Sequence, residues 1–159
     1  MTHFRYPMAL LGALVCGLAA PITLIPPARA QPATEVFTNL NDEALFRQFG
    51  GMEGLAALMV DFERELLANP TTAPFFANRD NTRTKAQLVD QICQILGGGC
   101  VYRGATMVDL HRNMGVNQAH FLQLVDALQR AMNGRGISFR AQNRLLAVLA
   151  PMHRDIITR

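Results

Sequence analysis

The segment GGGCVYRGATMVDLHRNMGVNQAHF, residues 97–121, brings a glycine run, a cysteine and two histidines together in a chain that has only four histidines in all. Zinc ligation is poorly served by it. His111 and His120 would point to opposite sides of a continuous helix, and neither belongs to an H-E-x-x-H or C-x-x-C pattern. A hydrolytic triad is served still less, because there is no G-x-S-x-G and Ser138 is the sole serine beyond residue 30. One isolated histidine in an apolar helical domain can instead hold a flat apolar cofactor by its iron and leave the opposite side open. The competing reading is an incidental surface histidine on a loop. Cys93 and Cys100 flank Gly97, Gly98 and Gly99, so a chain reversal after a helix can bring their α-carbons within bridging distance. Two buried free thiols are the alternative.

These residues must be positioned by helices. Leu55, Leu58, Met59, Phe62 and Leu66 form a stripe of threes and fours from Glu53 to Leu67, which should stop near Asn69-Pro70. Phe75 and Phe76 follow in a short connection. Leu88, Val89, Ile92, Cys93 and Leu96 share one side of a helix over residues 82–96, ended by the glycine run. Phe121, Leu124, Val125, Leu128, Ala131 and Met132 mark a third over residues 117–133. Leu145, Leu149, Met152 and Ile156 form the spine of a last helix over residues 140–157. No period-two alternation competes, so the fold class is all-α. His111 falls in a glycine-rich connection of about 15 residues, a length that usually marks function inside a small domain.

Residues 1–30 read as a secretory signal peptide: Arg5, then an uncharged apolar run from Pro7 to Pro27, then Ala28-Arg29-Ala30 before Gln31. An uncleaved anchor and a lipidated Cys16 are the rivals; Pro21, Pro26 and Pro27 oppose the first, and Val15 is a poor neighbour for the second. Cleavage predicts export, to the periplasm, with no membrane attachment afterwards. Residues 31–41 form a polar lead-in, and one domain occupies residues 42–159. With Arg5 and Arg29 removed, the 15 basic residues against 12 acidic become 13 against 12, which takes the net charge from +3 to +1. That balance, with Lys85 the single lysine, speaks against a nucleic-acid partner. An oxidising compartment favours a closed cysteine pair.

The pieces LFRQFGGMEGLAALMVDF (45–62), LANPTTAPFF (67–76), GGGCVYRGATMVDLHRNMGV (97–116), AHF (119–121) and LLAVLAPMHRDI (145–156) occur in an order and spacing that resembles the group I truncated haemoglobins over residues 43–157. The resemblance implies a two-over-two globin sandwich around haem b, with His111 as proximal iron ligand. It places Phe62, Phe76, Thr84, Leu88, Ile92, Met107, Val116, Phe121 and Leu149 around the cofactor. Exported members commonly carry a cysteine pair like Cys93 and Cys100. The implied activity is reversible binding of oxygen, or of nitric oxide or carbon monoxide, without an enzymatic role beyond nitric oxide oxidation as a side reaction and with a reductase as a conceivable partner.

The distal side departs from the family. Its members usually have tyrosine directly after the D-F pair, where this chain has Glu63, and many have glutamine where it has Leu88. The distal pocket is then expected to draw on Glu63, Thr84, Gln87, Leu88 and Gln91, with Thr84 and Gln91 able to donate hydrogen bonds. Glu63 has two readings: outward to water or a basic neighbour, or inward and neutral, when it could donate. A cofactor-free exported helical binding module, with His111 incidental, is the second function class.

Overall fold

The computed structural model describes residues 38–159. The expected signal peptide and residues 31–37 of the lead-in lie outside the described residues. Asp42 opens α1 (Glu43–Gln48) by accepting from the Leu45 amide at 2.9 Å. Gly50, in the left-handed region at φ 81°, then turns the chain into α2 (Gly51–Ala68). The stripe Leu55, Leu58, Met59, Phe62 and Leu66 is buried along α2, and the helix ends at Asn69 before Pro70. The Phe75-Phe76 connection is itself one helical turn, α3 (Ala73–Phe76). Helix α4 (Thr82–Leu96) stops where Gly97 takes φ 87° and the Gly98 amide donates to the Cys93 carbonyl at 2.9 Å.

The connection carrying His111 contains a helix of its own, α5 (Met107–His111), whose cap is the Thr106 hydroxyl accepting from the Asp109 amide. Helix α6 (Gln118–Gly134) begins with a reciprocal capping box between Asn117 and His120. The expected continuous last helix is three pieces. Ser138 caps α7 (Phe139–Leu149), a 3-10 turn covers Ala150–Met152, and α8 (His153–Ile156) follows. The cause is Pro151, which has no amide hydrogen and whose ring clashes with the preceding turn.

Helix α2 packs against both α4 and α6, while α7 packs against α4 and α6, which yields two helices over two. Among the described residues there is no strand, and no helix is long and apolar enough to cross a membrane. Leu55, Leu58, Ile95, Leu96 and Leu145 are fully buried where these helices meet. Each such side chain contributes about 1.5–3 kcal/mol relative to an exposed one. The end of α4 is pinned from three directions. The Leu40 and Asp42 amides donate to the Ile95 and Leu96 carbonyls at 2.8 and 3.2 Å, and Asp42 pairs with Arg144 of α7. A disulfide joins Cys93 to Cys100 with the α-carbons 5.6 Å apart. Gly98 has no room for a side chain there, since a Cβ would lie 2.7 Å from both the Cys93 sulfur and the Phe46 ring.

Candidate functional site

The two helix pairs do not close on each other completely. A cavity of about 340 Å³ remains between them, walled on the α2 side by Met59 and Phe62 and on the α4 side by Thr84, Gln87, Leu88, Gln91 and Ile92. Phe75 and Phe76 of α3, Phe121, Leu124 and Leu128 of α6, and Leu146 and Leu149 of α7 complete an apolar slot. Met107, Leu110 and His111 form its α5 wall.

His111 reaches the cavity because α5 is short and held at both ends. Upstream, the Tyr102 amide donates to the Gln94 side chain at 2.6 Å and the Tyr102 hydroxyl donates to the Ala105 carbonyl at 2.8 Å, which ties the glycine-rich approach to α4. Gly104 is required beneath it, since a Cβ there would sit 2.2 Å from the tyrosine oxygen. Downstream, α5 rests on α8. Within α5, His111 Nδ1 lies 2.8 Å from the Met107 carbonyl oxygen. A carbonyl only accepts, so Nδ1 carries the proton and Nε2 keeps its lone pair. A ring fixed through one nitrogen and lone-pair-bearing at the other is the usual arrangement of a metal-ligating histidine. The other two histidines among the described residues are otherwise engaged. His120 caps α6 and meets the Phe75 ring edge-on at 4.9 Å, and His153 Nδ1 donates to the Ala150 carbonyl at 2.9 Å.

Of the residues singled out from sequence, Phe62, Phe76, Thr84, Gln87, Leu88, Gln91, Ile92, Met107, His111, Phe121 and Leu149 line this one cavity. Val116 and Glu63 do not. Val116 is buried below the site, where its carbonyl accepts from the Thr158 amide at 2.8 Å and anchors the chain's end. Glu63 is turned along the helix surface to an ion pair with Lys85 of α4, which gives the outward alternative a specific partner. The Lys85 hydrogen bond holds the Glu63 carboxyl below the usual carboxylate range; partial desolvation opposes this and the Asn81 side chain assists it. An ionised Glu63 cannot donate. Sequence reasoning missed Tyr102, Asn81 and Arg79, all three cavity-lining. Tyr102 was signalled only by being an aromatic inside a glycine-rich stretch, and Asn81 reads from sequence as an ordinary helix cap.

The group implied by the resemblance, haem, can be tested against these walls. A flat apolar macrocycle matches a slot faced by Phe76, Phe121 and aliphatic side chains, and its iron matches the free Nε2 of His111. Its carboxylates match the polar rim, where Arg79 and Thr84 are exposed to water. The residues fit.

The bacterial-like globin family model matches residues 44–158. A group 1 truncated hemoglobin from Mycolicibacterium paratuberculosis is 26% identical over 122 residues, covering 77% of this chain and 90% of the relative. One from Tetrahymena pyriformis is 24% identical over 115 residues, covering 72% and 95%. Among solved structures, the Fe(III) truncated hemoglobin of Tetrahymena pyriformis superposes with a TM-score of 0.68 at 23% identity, over 72% of this chain and 98% of that one. The 2/2 hemoglobin of Synechococcus sp. PCC 7002, solved with covalently attached heme, gives 0.67 at 21% identity, over 72% and 98%. At those identities the structural likeness speaks for the fold. The family match covers most of the chain, and with the relatives it makes this protein a bacterial-like globin of the group 1 truncated haemoglobin type.

Proposed function

We propose that the cavity holds haem b and that the protein reversibly binds a diatomic gas, oxygen before nitric oxide or carbon monoxide, on the face opposite His111. The observation that carries this reading is the His111 ring itself: Nδ1 is committed to the Met107 carbonyl, and Nε2 is a lone-pair donor at the wall of an apolar slot. Bound there, the iron supplies the centre that takes up the gas. The chain supplies the rest. Met107 and the Thr106 cap hold the imidazole's orientation, and Phe62, Leu88 and Ile92 keep the opposite face apolar and short of water. Arg79 and Thr84 face the rim, where acidic groups on the ligand would meet a cation and a hydroxyl. The A-x-A pattern at residues 28–30 supports export, and the closed Cys93–Cys100 pair suits an oxidising compartment. Nitric oxide oxidation, served by an external reductase, is compatible with the same pocket.

The test is an absorption spectrum of the purified protein and of His111→Ala. The unsubstituted protein should be red with an intense haem band. The variant should lose most of its haem or hold it in an altered spin state. A colourless protein, or a variant with unchanged haem content and spectrum, would refute the assignment and leave a cofactor-free binding module.

A further inference from the structure

The chain reaches His111 from α4 along a short path that a disulfide fastens. Cys93 is fully buried near the end of α4, and its partner Cys100 begins the stretch that leads into α5. Two residues on, Tyr102 meets α4 again through the Gln94 side chain and holds Ala105 through its hydroxyl. Thr106 then caps α5, and the Met107 carbonyl accepts from His111 Nδ1. Link by link, the imidazole stands where the fastening of Cys100 puts it. The two sulfurs are not equivalent. Cys93 Sγ lies in the tight corner that Gly98 and the Phe46 ring close, and it cannot give way. Cys100 is half-buried beside the exposed Gly99, and its sulfur is 3.5 Å from that of Met52, itself 45% exposed. A thiolate from solvent therefore reaches Cys100 and not Cys93. Two thiols, each with its hydrogen, take more room than the closed bridge, so opening it moves residues 100–102.

We propose that the Cys93–Cys100 pair is a thiol-operated control on cofactor retention, opened by a dithiol reductant. A thiolate of the reductant attacks the Cys100 sulfur, the bond to Cys93 breaks, and Cys93 leaves as a thiolate that takes up a proton. The reductant's second thiol, as thiolate, attacks the mixed disulfide and frees Cys100, which takes up a second proton. The protein pair has gained two electrons and two protons, and the dithiol has become its own disulfide. Closed, the pair pins the approach to α5 and with it His111; open, it leaves the Gln94 contact to hold that approach, and the iron ligand loosens. The proposal rests on the haem reading above and deepens it by naming what regulates His111.

The experiment follows haem transfer from the ferric, haem-loaded protein to excess apomyoglobin. Three forms of the unsubstituted chain are compared: as isolated, after dithiothreitol treatment and its removal, and after reoxidation with oxidised glutathione. Release should quicken about ten-fold on reduction, within the usual range of coupling between sites, and return on reoxidation. Cys93→Ser/Cys100→Ser should release fast whatever the treatment. Lys85→Ala, which weakens the fold away from this path, should release haem as slowly as the closed form. Hydrogen exchange in the haem-loaded protein should quicken on reduction at residues 100–111 while the α6 amides stay protected. Unchanged release on reduction, equally fast release from Lys85→Ala, exchange that quickens throughout, or two free thiols in the protein as isolated would each overturn the proposal and leave a red, His111-dependent haem protein intact. A protein without haem would instead remove the reading beneath it.

Discussion

Replacing Lys85 with alanine should destabilise the fold in a way that acid erases. The Lys85–Glu63 pair bridges α4 and α2, and its side chains are 29% and 20% exposed. Fully exposed pairs are worth about 0.2–1 kcal/mol, while breaking a fully buried pair costs about 3–5 kcal/mol. A pair this sheltered but still wet should fall between, at about 1–2 kcal/mol at neutral pH. For a domain of this size that lowers Tm by roughly 4–8 °C. Lys85 is the first cause of the depressed Glu63 pKa, ahead of the opposing desolvation and the assisting Asn81. A carboxyl whose folded pKa lies below its unfolded one contributes stability above the unfolded pKa, and loses it as pH falls through the folded pKa. The contribution exists only while Lys85 is present. Urea titrations of both proteins at pH 7 and at about pH 3, below the ordinary carboxylate range, should therefore show a deficit at neutrality that shrinks on acidification. Asp42, Asp61, Asp80 and Asp109 are also depressed by their partners, so both proteins weaken in acid and the difference between them isolates the pair. Glu63→Gln should reproduce most of the deficit, with the double variant far less than additive. A deficit of equal size at both pH values would refute the electrostatic account and leave lost packing of the lysine stem.

Three further outcomes follow from the same structure. Replacing Cys93 and Cys100 with serine should cost about 2–3 kcal/mol in the chain-entropy account of so short a loop; mass spectrometry of the unreduced protein should meanwhile find the pair linked, and two alkylatable thiols would count against it. Gly97→Ala should cost about 2 kcal/mol or more, because φ is 87° and a Cβ would lie 2.7 Å from the Asp42 nitrogen; a neutral effect in thermal melts would show that the strap over α4 is loose. Glu63→Tyr in the haem-loaded protein should leave oxygen release unchanged, because position 63 lies outside the cavity lining and faces Lys85; release slowed about ten-fold, the worth of a buried donor, would show instead that a side chain at position 63 reaches the gas.

How far the sequence could be read depended on the range of the forces involved. Helices α2, α4 and α6 were legible because each carries its own apolar stripe and its own terminator: Pro70, Gly97 and Gly134-Arg135-Gly136. Helix α5 was not. Five residues cannot sustain a helix alone, and α5 stands only because Thr106 caps it, Tyr102 ties its approach to α4 and α8 lies against it. The break at Pro151 is masked in the sequence by the spine Leu145, Leu149, Met152 and Ile156, whose helical spacing continues across it. Glu63 shows the harder limit, since its inward and outward readings differ by a partner 22 positions away on another helix. Asn81 shows the most instructive one. Asparagine ahead of a helix is the expected N-cap, a role worth about 1 kcal/mol, yet here the side chain makes no capping bond. Asp80 takes over by accepting from the Thr82 amide at 2.8 Å, and Asn81 turns back to Phe76 with its oxygen unpaired. Places where a residue gives up its local preference and leaves a buried acceptor unsatisfied are where function is expected to override folding.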